Sequence, residues 1–230
     1  ADQLLISDEN MIGSARHSVR SGRLFPAIGE RMARFGASFG GRVTQVVLTI
    51  RQTDHWWASA LAYTVGRGHP VPDADQIDRI AHDRRGWRDV ITDLACALPE
   101  AKISVARYDD YAGRPDALFT QLTGRAAPAT TQGYWLNRRP DEASLRAQMG
   151  LAAAGLRSDG LGNWHPFSDA QAAALRETYA DDLFWLTAGA DGLATLTETS
   201  TAPRAGTSWP DGDRRKGHHH DSGQRKLAQS

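Results

Sequence analysis

Val43 to Ile50 constrains the chain more than any other stretch. It reads Val-Thr-Gln-Val-Val-Leu-Thr-Ile, apolar and β-branched, with no charged side chain. Such a run predicts a strand buried on both faces, as in a parallel sheet. The run stops at Arg51. Thr53 or Asp54 then offers a helix N-cap, and Trp56, Trp57, Leu61 and Tyr63 follow at helical spacing. The expectation is a strand, a sharp turn and a helix, with Arg51 at the carboxyl end of the strand. Ser59 falls about two turns into that helix.

That placement has a chemical meaning. Ligands of open α/β sheets bind beyond the carboxyl ends of the strands. Arg51 would present a planar fork of donors there, Ser59 a hydroxyl, and the helix start free N–H groups with partial positive charge. Together they suit a phosphate. The competing reading is an Arg closing a surface salt bridge and a Ser that is solvated or packed.

The remaining chain alternates apolar runs and helical patterns. Leu4-Leu5-Ile6-Ser7 predicts another buried strand, ending in Asp8-Glu9-Asn10, an acidic cluster that also fits a turn or a helix start. Leu24, Ile28, Met32 and Phe35 step along one helix face. A further helix is predicted from Asp73 to Asp83, and another through Trp87, Val90, Ile91 and Leu94, ended by Pro99. Lys102 to Arg107 reads as a strand running into Tyr108-Asp109-Asp110-Tyr111. Asp141 caps a helix through Leu145, and Ser168 with Gln171 forms a capping box for the last one. From Thr199 onward Ser, Thr, Gly, Pro and charge dominate, which predicts a disordered tail over 199–230 after an α/β domain over 1–198. His218-His219-His220 in that tail reads as a solvated tract rather than a metal site.

Composition narrows the function. Lys plus Arg and Asp plus Glu both total 27, so no global field points to nucleic acid, although a local Arg cluster can still hold a nucleotide. The single Cys96 forbids an internal disulfide. No run of about 18 apolar residues predicts a membrane span, and no signal peptide is visible, so a cytoplasmic protein is expected. The chain lacks an initiator Met and opens almost directly on an apolar run, as a fragment or processed product would.

Arg51, seven residues and then Ser59, placed after a buried strand, resembles the 3′-phosphate-binding motif of sulfotransferases. Those enzymes use the donor 3′-phosphoadenosine-5′-phosphosulfate (PAPS). Arg107-Tyr108-Asp109-Asp110-Tyr111 is similar to their Arg-Tyr-Glu-Asp-Leu segment. Arg157, Gly162 and Trp164 match their late Arg-Lys-Gly…Gly-Asp-Trp segment, although Ser158 and Asp159 depart from it. Pro166-Phe167-Ser168 and the following Leu175, Tyr179, Asp182 and Leu183 resemble their last helix.

The resemblance implies a phosphate-loop-type three-layer α/β fold, a mostly parallel sheet between helices. It implies PAPS as co-substrate without metal, Arg51, Ser59 and Arg157 as ligands of the 3′-phosphate, and a small-molecule or glycan acceptor. It also implies a base near the end of the preceding strand: Glu9, with Asp8 second. The Gly-rich phosphosulfate loop of the family is missing. Gly36 to Gly41 precedes a strand instead of following one. The first strand-loop-helix is therefore expected to be absent, and the chain alone is expected to bind half the donor without turning over. The alternative is a catalytically inactive sulfotransferase-like scaffold with Trp56 or Trp135 on a partner surface.

Overall fold

A computed structural model describes residues 4–128, 139–150, 157–158 and 162–197. The predicted tail, His218 to His220, Tyr134, Trp135 and Asp159 lie outside the described residues. Helices α1 (Ala15–Ser21) and α2 (Ile28–Ser38) lead into strand β1 (Gln45–Ile50). Helices α3 (Thr53–Val65), α4 (Ala74–His82) and α5 (Trp87–Ala97) follow, then β2 (Lys102–Arg107). The order continues with α6 (Tyr108–Tyr111), α7 (Pro115–Thr123), α8 (Glu142–Met149), α9 (Asp169–Thr187) and β3 (Thr195–Leu196).

The three strands form one parallel sheet in the order β1-β2-β3, flanked by helices. The chain is thus α/β with a parallel sheet. Gln45 pairs with Lys102 and Ile50 with Arg107, so β1 and β2 end level with each other.

Burial on both faces falls on β2, where Ile103, Ser104, Val105 and Ala106 are all buried. In β1 only Leu48 and Ile50 are buried, while Gln45 and Thr49 are exposed. The expectation for Val43 to Ile50 is corrected on this point. Among the described residues β1 has a neighbour on one side only, whereas β2 is central, and a central strand is covered by helices on both faces.

The Leu4–Ser7 expectation also fails. No strand forms there, and Leu4, Leu5 and Ile6 are 80%, 56% and 45% exposed. A strand needs a partner for its backbone groups, and none is recorded for this run among the described residues.

Local signals place most helices well. Asp73 caps α4 through the Gln76 N–H at 2.7 Å, and Asp141 caps α8 through the Ser144 N–H at 2.7 Å. The Ser168–Gln171 capping box at α9 is formed in both directions. The core runs from Ile28 and Met32 of α2 through Leu48 and Ile50. It continues to Trp57, Leu61, Trp87, Ile91 and Leu94, and closes on Leu175 and Leu186 of α9. No helix among the described residues is long and apolar enough to cross a membrane.

Candidate functional site

The site is built where β1 stops and α3 starts. Arg51 leaves the strand, Gln52 is the N-cap residue, and Thr53 and Asp54 open the helix. The backbone of this corner is fixed: the Trp87 indole N–H donates to the Arg51 carbonyl at 2.7 Å. The corner side of α3 is packed, with Thr53, Asp54, Trp57 and Ala58 buried. Its open line holds His55, which is exposed, then Ser59 and Tyr63, which are half-buried.

The Arg51 side chain is about a quarter exposed, and its guanidinium lies over the Tyr108 ring, 4.9 Å from the centroid. Its Nε is 3.9 Å from Asp109 Oδ1, too far for a hydrogen bond, and this buried N–H has no hydrogen-bond partner. The hydroxyl of Thr53, itself 1% exposed, also has none. Buried donors are almost always paired, so two unpaired donors at one strand end are unusual.

Asp54 supplies the counterweight. It is fully buried, and its Oδ1 accepts from Gln52 Nε2 at 2.9 Å and from the His55 N–H at 2.8 Å. Its Oδ2 makes no hydrogen bond, but His165 Nε2 stands 3.7 Å away and Arg176 Nη1 3.5 Å away. Burial pushes the carboxyl upward in pKa. The His165, His55 and Gln52 contacts outweigh it and hold the group below its ordinary value. The His55 ring is solvent-exposed, but partial desolvation against the packed corner lowers its pKa, with Arg51 and His165 adding to that, against the opposite pull of Asp54 and Asp109.

Arg51 stands at the strand end, outside α3, while Ser59 is half-buried on the helix. Arg157 is exposed, and its guanidinium faces Asp169 at 3.3 Å, at the start of α9. Its backbone is nearer the corner: the Arg157 carbonyl accepts from the His165 N–H at 2.9 Å, and the His165 ring faces Asp54. Glu9 lies in an exposed turn ahead of α1. Arg31 of α2 ties down that turn by donating to the Asn10 and Met11 carbonyls at 2.8 and 3.1 Å. Asp8 closes the same turn by accepting from the Asn10 N–H at 2.6 Å. Trp56 is half-buried and packs edge-on against Phe25 and Trp57, with ring centroids 5.0 and 4.9 Å apart.

Three groups at the corner escaped the sequence reading: His55, His165 and the Tyr108–Asp109 pair. The last was legible in principle. Ile50 and Arg107 are register partners, so the residues just beyond them must be neighbours. Two shallow hollows, about 190 and 310 Å³, open at the amino end of the sheet around Pro99 and Ala101, opposite this corner. Among the described residues no group of three or more His, Cys, Asp or Glu is placed to hold a metal ion.

Neither a protein-family model, nor a curated protein, nor a solved structure matches the chain.

Proposed function

We propose that the chain is a sulfotransferase-like domain of the phosphate-loop fold type. In this reading it holds PAPS through the 3′-phosphate and serves sulfuryl transfer to a hydroxyl or amine of a small-molecule or glycan acceptor. One observation carries the reading. Arg51 stands at the carboxyl end of a parallel strand with a buried, unpaired Nε–H, and Ser59 lies two turns along the next helix. Guanidinium, hydroxyl and helix start are the donors that an anionic phosphate requires.

In the reaction the acceptor oxygen or nitrogen attacks sulfur in line. The bond from sulfur to the bridging oxygen breaks, and adenosine 3′,5′-bisphosphate leaves. A base takes the acceptor's proton, and cationic groups offset the charge growing on the leaving oxygen. Glu9 is the residue that the family resemblance assigns to the base.

Titration calorimetry with adenosine 3′,5′-bisphosphate tests the reading. The wild type is expected to bind and Arg51→Ala to lose at least tenfold in affinity, the scale of one charge-assisted contact. Equal heats from wild type and variant would remove Arg51 from the site and the transferase reading with it. Binding without any sulfuryl transfer, even when a phosphosulfate loop is supplied as a preceding segment, would select the scaffold alternative.

A further inference from the structure

The sheet has two edges, and they are built differently. β3 holds only Thr195 and Leu196. β1 spans Gln45–Ile50 and pairs with β2 at every position without a bulge. It carries no charge, Pro or Gly. Natural sheets blunt an open edge by shortness, charge, Pro or a bulge. β3 is short, whereas β1 has none of these devices. Among the described residues no backbone hydrogen bond is made to the side of β1 away from β2.

The same chain carries a run with the opposite defect. Among the described residues the exposed large apolar side chains include three in a row, Leu4, Leu5 and Ile6, the first of them 80% exposed. Single exposures need no cause, but a contiguous apolar group suits a contact surface. Among the described residues no backbone hydrogen bond is made by residues 4–7. Apolar at successive positions, the run fits a strand covered on both faces. It projects from an anchored turn, because Arg31 of α2 holds the Asn10 and Met11 carbonyls.

Charge matches the two. The uncharged stretch of β1 lies between Arg42 and Arg51, and the run lies between Asp2 and the Asp8-Glu9 pair. A strand bracketed by cations and a run bracketed by carboxylates attract in either relative direction.

We propose that the outer edge of β1 is an interface between two copies of this chain, each lending its 4–7 run as an added strand to the β1 of the other. Within one chain the run and β1 stay unpaired. Each copy has one bare edge and one spare run, so a mutual exchange satisfies both and closes on a two-fold dimer. The run gains the backbone partners that it lacks alone, and its side chains gain cover. Nothing in this exchange depends on a phosphate at Arg51.

Analytical ultracentrifugation of the full chain between about 1 and 100 μM tests this. A dimer that dissociates on dilution is expected. Leu5→Lys on the run and Thr49→Lys on the strand are each expected to weaken it about tenfold or more. Both positions are exposed in the single chain, so the urea midpoint of the diluted protein is expected to stay unchanged. Amide hydrogen exchange adds a readout that needs no variant: the Leu5, Ile6 and β1 amides are expected to slow together as the dimer forms.

A chain that stays monomeric over that range overturns the inference, and slowed Leu5 and Ile6 amides in such a monomer mean that the run pairs within its own chain. A dimer that survives either substitution, or whose Leu5 and Ile6 amides exchange freely, uses another surface and overturns it as well. Growth beyond a dimer with rising concentration overturns the closed exchange.

Discussion

Two buried aspartates at two helix starts behave in opposite ways. Asp182 reaches from α9 to the start of α5. It accepts from the Trp87 N–H at 2.7 Å and the Arg88 N–H at 3.2 Å, so both of its oxygens are bonded. Among the described residues it forms no ion pair, and burial raises its pKa to about 6 despite the two backbone donors. Asp54 opens α3 from within, has one oxygen without a hydrogen bond, is faced by the Arg176 guanidinium and the His165 ring, and is held below its ordinary pKa. The corners are joined through one residue: Trp87 donates its backbone N–H to Asp182 and its indole N–H to the Arg51 carbonyl. At the α5 corner both Asp182 oxygens are hydrogen-bonded. The α3 corner keeps the Arg51 Nε–H and the Thr53 hydroxyl unpaired, and buried polar groups left unpaired call for an explanation.

The largest effect expected from breaking this contrast is at Gly86, the residue before α5. A Cβ there would meet Asp182 Oδ2 at 2.5 Å and Oδ1 at 2.8 Å. The carboxylate cannot move away without releasing two backbone N–H groups. Gly86→Ala is therefore expected to cost about 3 kcal/mol, read as a lower urea midpoint at unchanged slope. A loss under about 1 kcal/mol would mean that the α5 corner is as loosely built as the other.

Next in size is the pH dependence of Asp182. Its folded pKa, about 6 against an ordinary value of 3.8, favours the protonated form. Its contribution is fully present below about pH 4 and is lost as pH rises through about 6. Two units correspond to about 3 kcal/mol at most. Asp182→Asn should flatten that part of the stability profile. Asp54 has the opposite sign: its contribution holds above about pH 4 and is lost as pH falls through its lowered folded value. Asp54→Asn is expected to cost about 2 kcal/mol at pH 7, because Arg176 loses its buried partner and the hydrogen bonds around the carboxylate are weakened. It should also remove the acid-side loss. The same pH profile from both variants would erase the distinction between the corners.

Much of the fold could be read from local signals, and the failures have a common cause. The caps at Asp73, Asp141 and Ser168 were legible because a cap is a contact within three residues. The strand–turn–helix from Val43 to Tyr63 was legible because its period changes at Arg51. Which strand is central was not, since apolar content in Val43 to Ile50 says only that a strand can be buried. The pairing order decides whether it is. Leu4 to Ser7 misled for the same reason. At the site, Arg51 and Ser59 belong to one strand–turn–helix unit and could be placed on it by counting. His165 and Arg176 reach Asp54 from more than a hundred residues away, and spacing does not encode that meeting.

The smallest expected stability effect belongs to the residue with the largest expected binding effect. Arg51 holds the fold through its carbonyl, which Trp87 engages and which any residue supplies. Its guanidinium has a 3.9 Å approach to a half-exposed Asp109 and a ring contact at 4.9 Å. Such contacts are worth about 0.5–1 kcal/mol together. Arg51→Ala is thus expected to leave the urea midpoint nearly unchanged while lowering affinity for adenosine 3′,5′-bisphosphate at least tenfold. A side chain that gives the fold so little, yet keeps a buried N–H unpaired at the end of the sheet, is better explained by a ligand than by packing. If Arg51→Ala instead unfolds the chain by 3 kcal/mol or more, the guanidinium is a structural member like Asp182. The α3 corner would then be a second joint, and its idle donors would need another explanation.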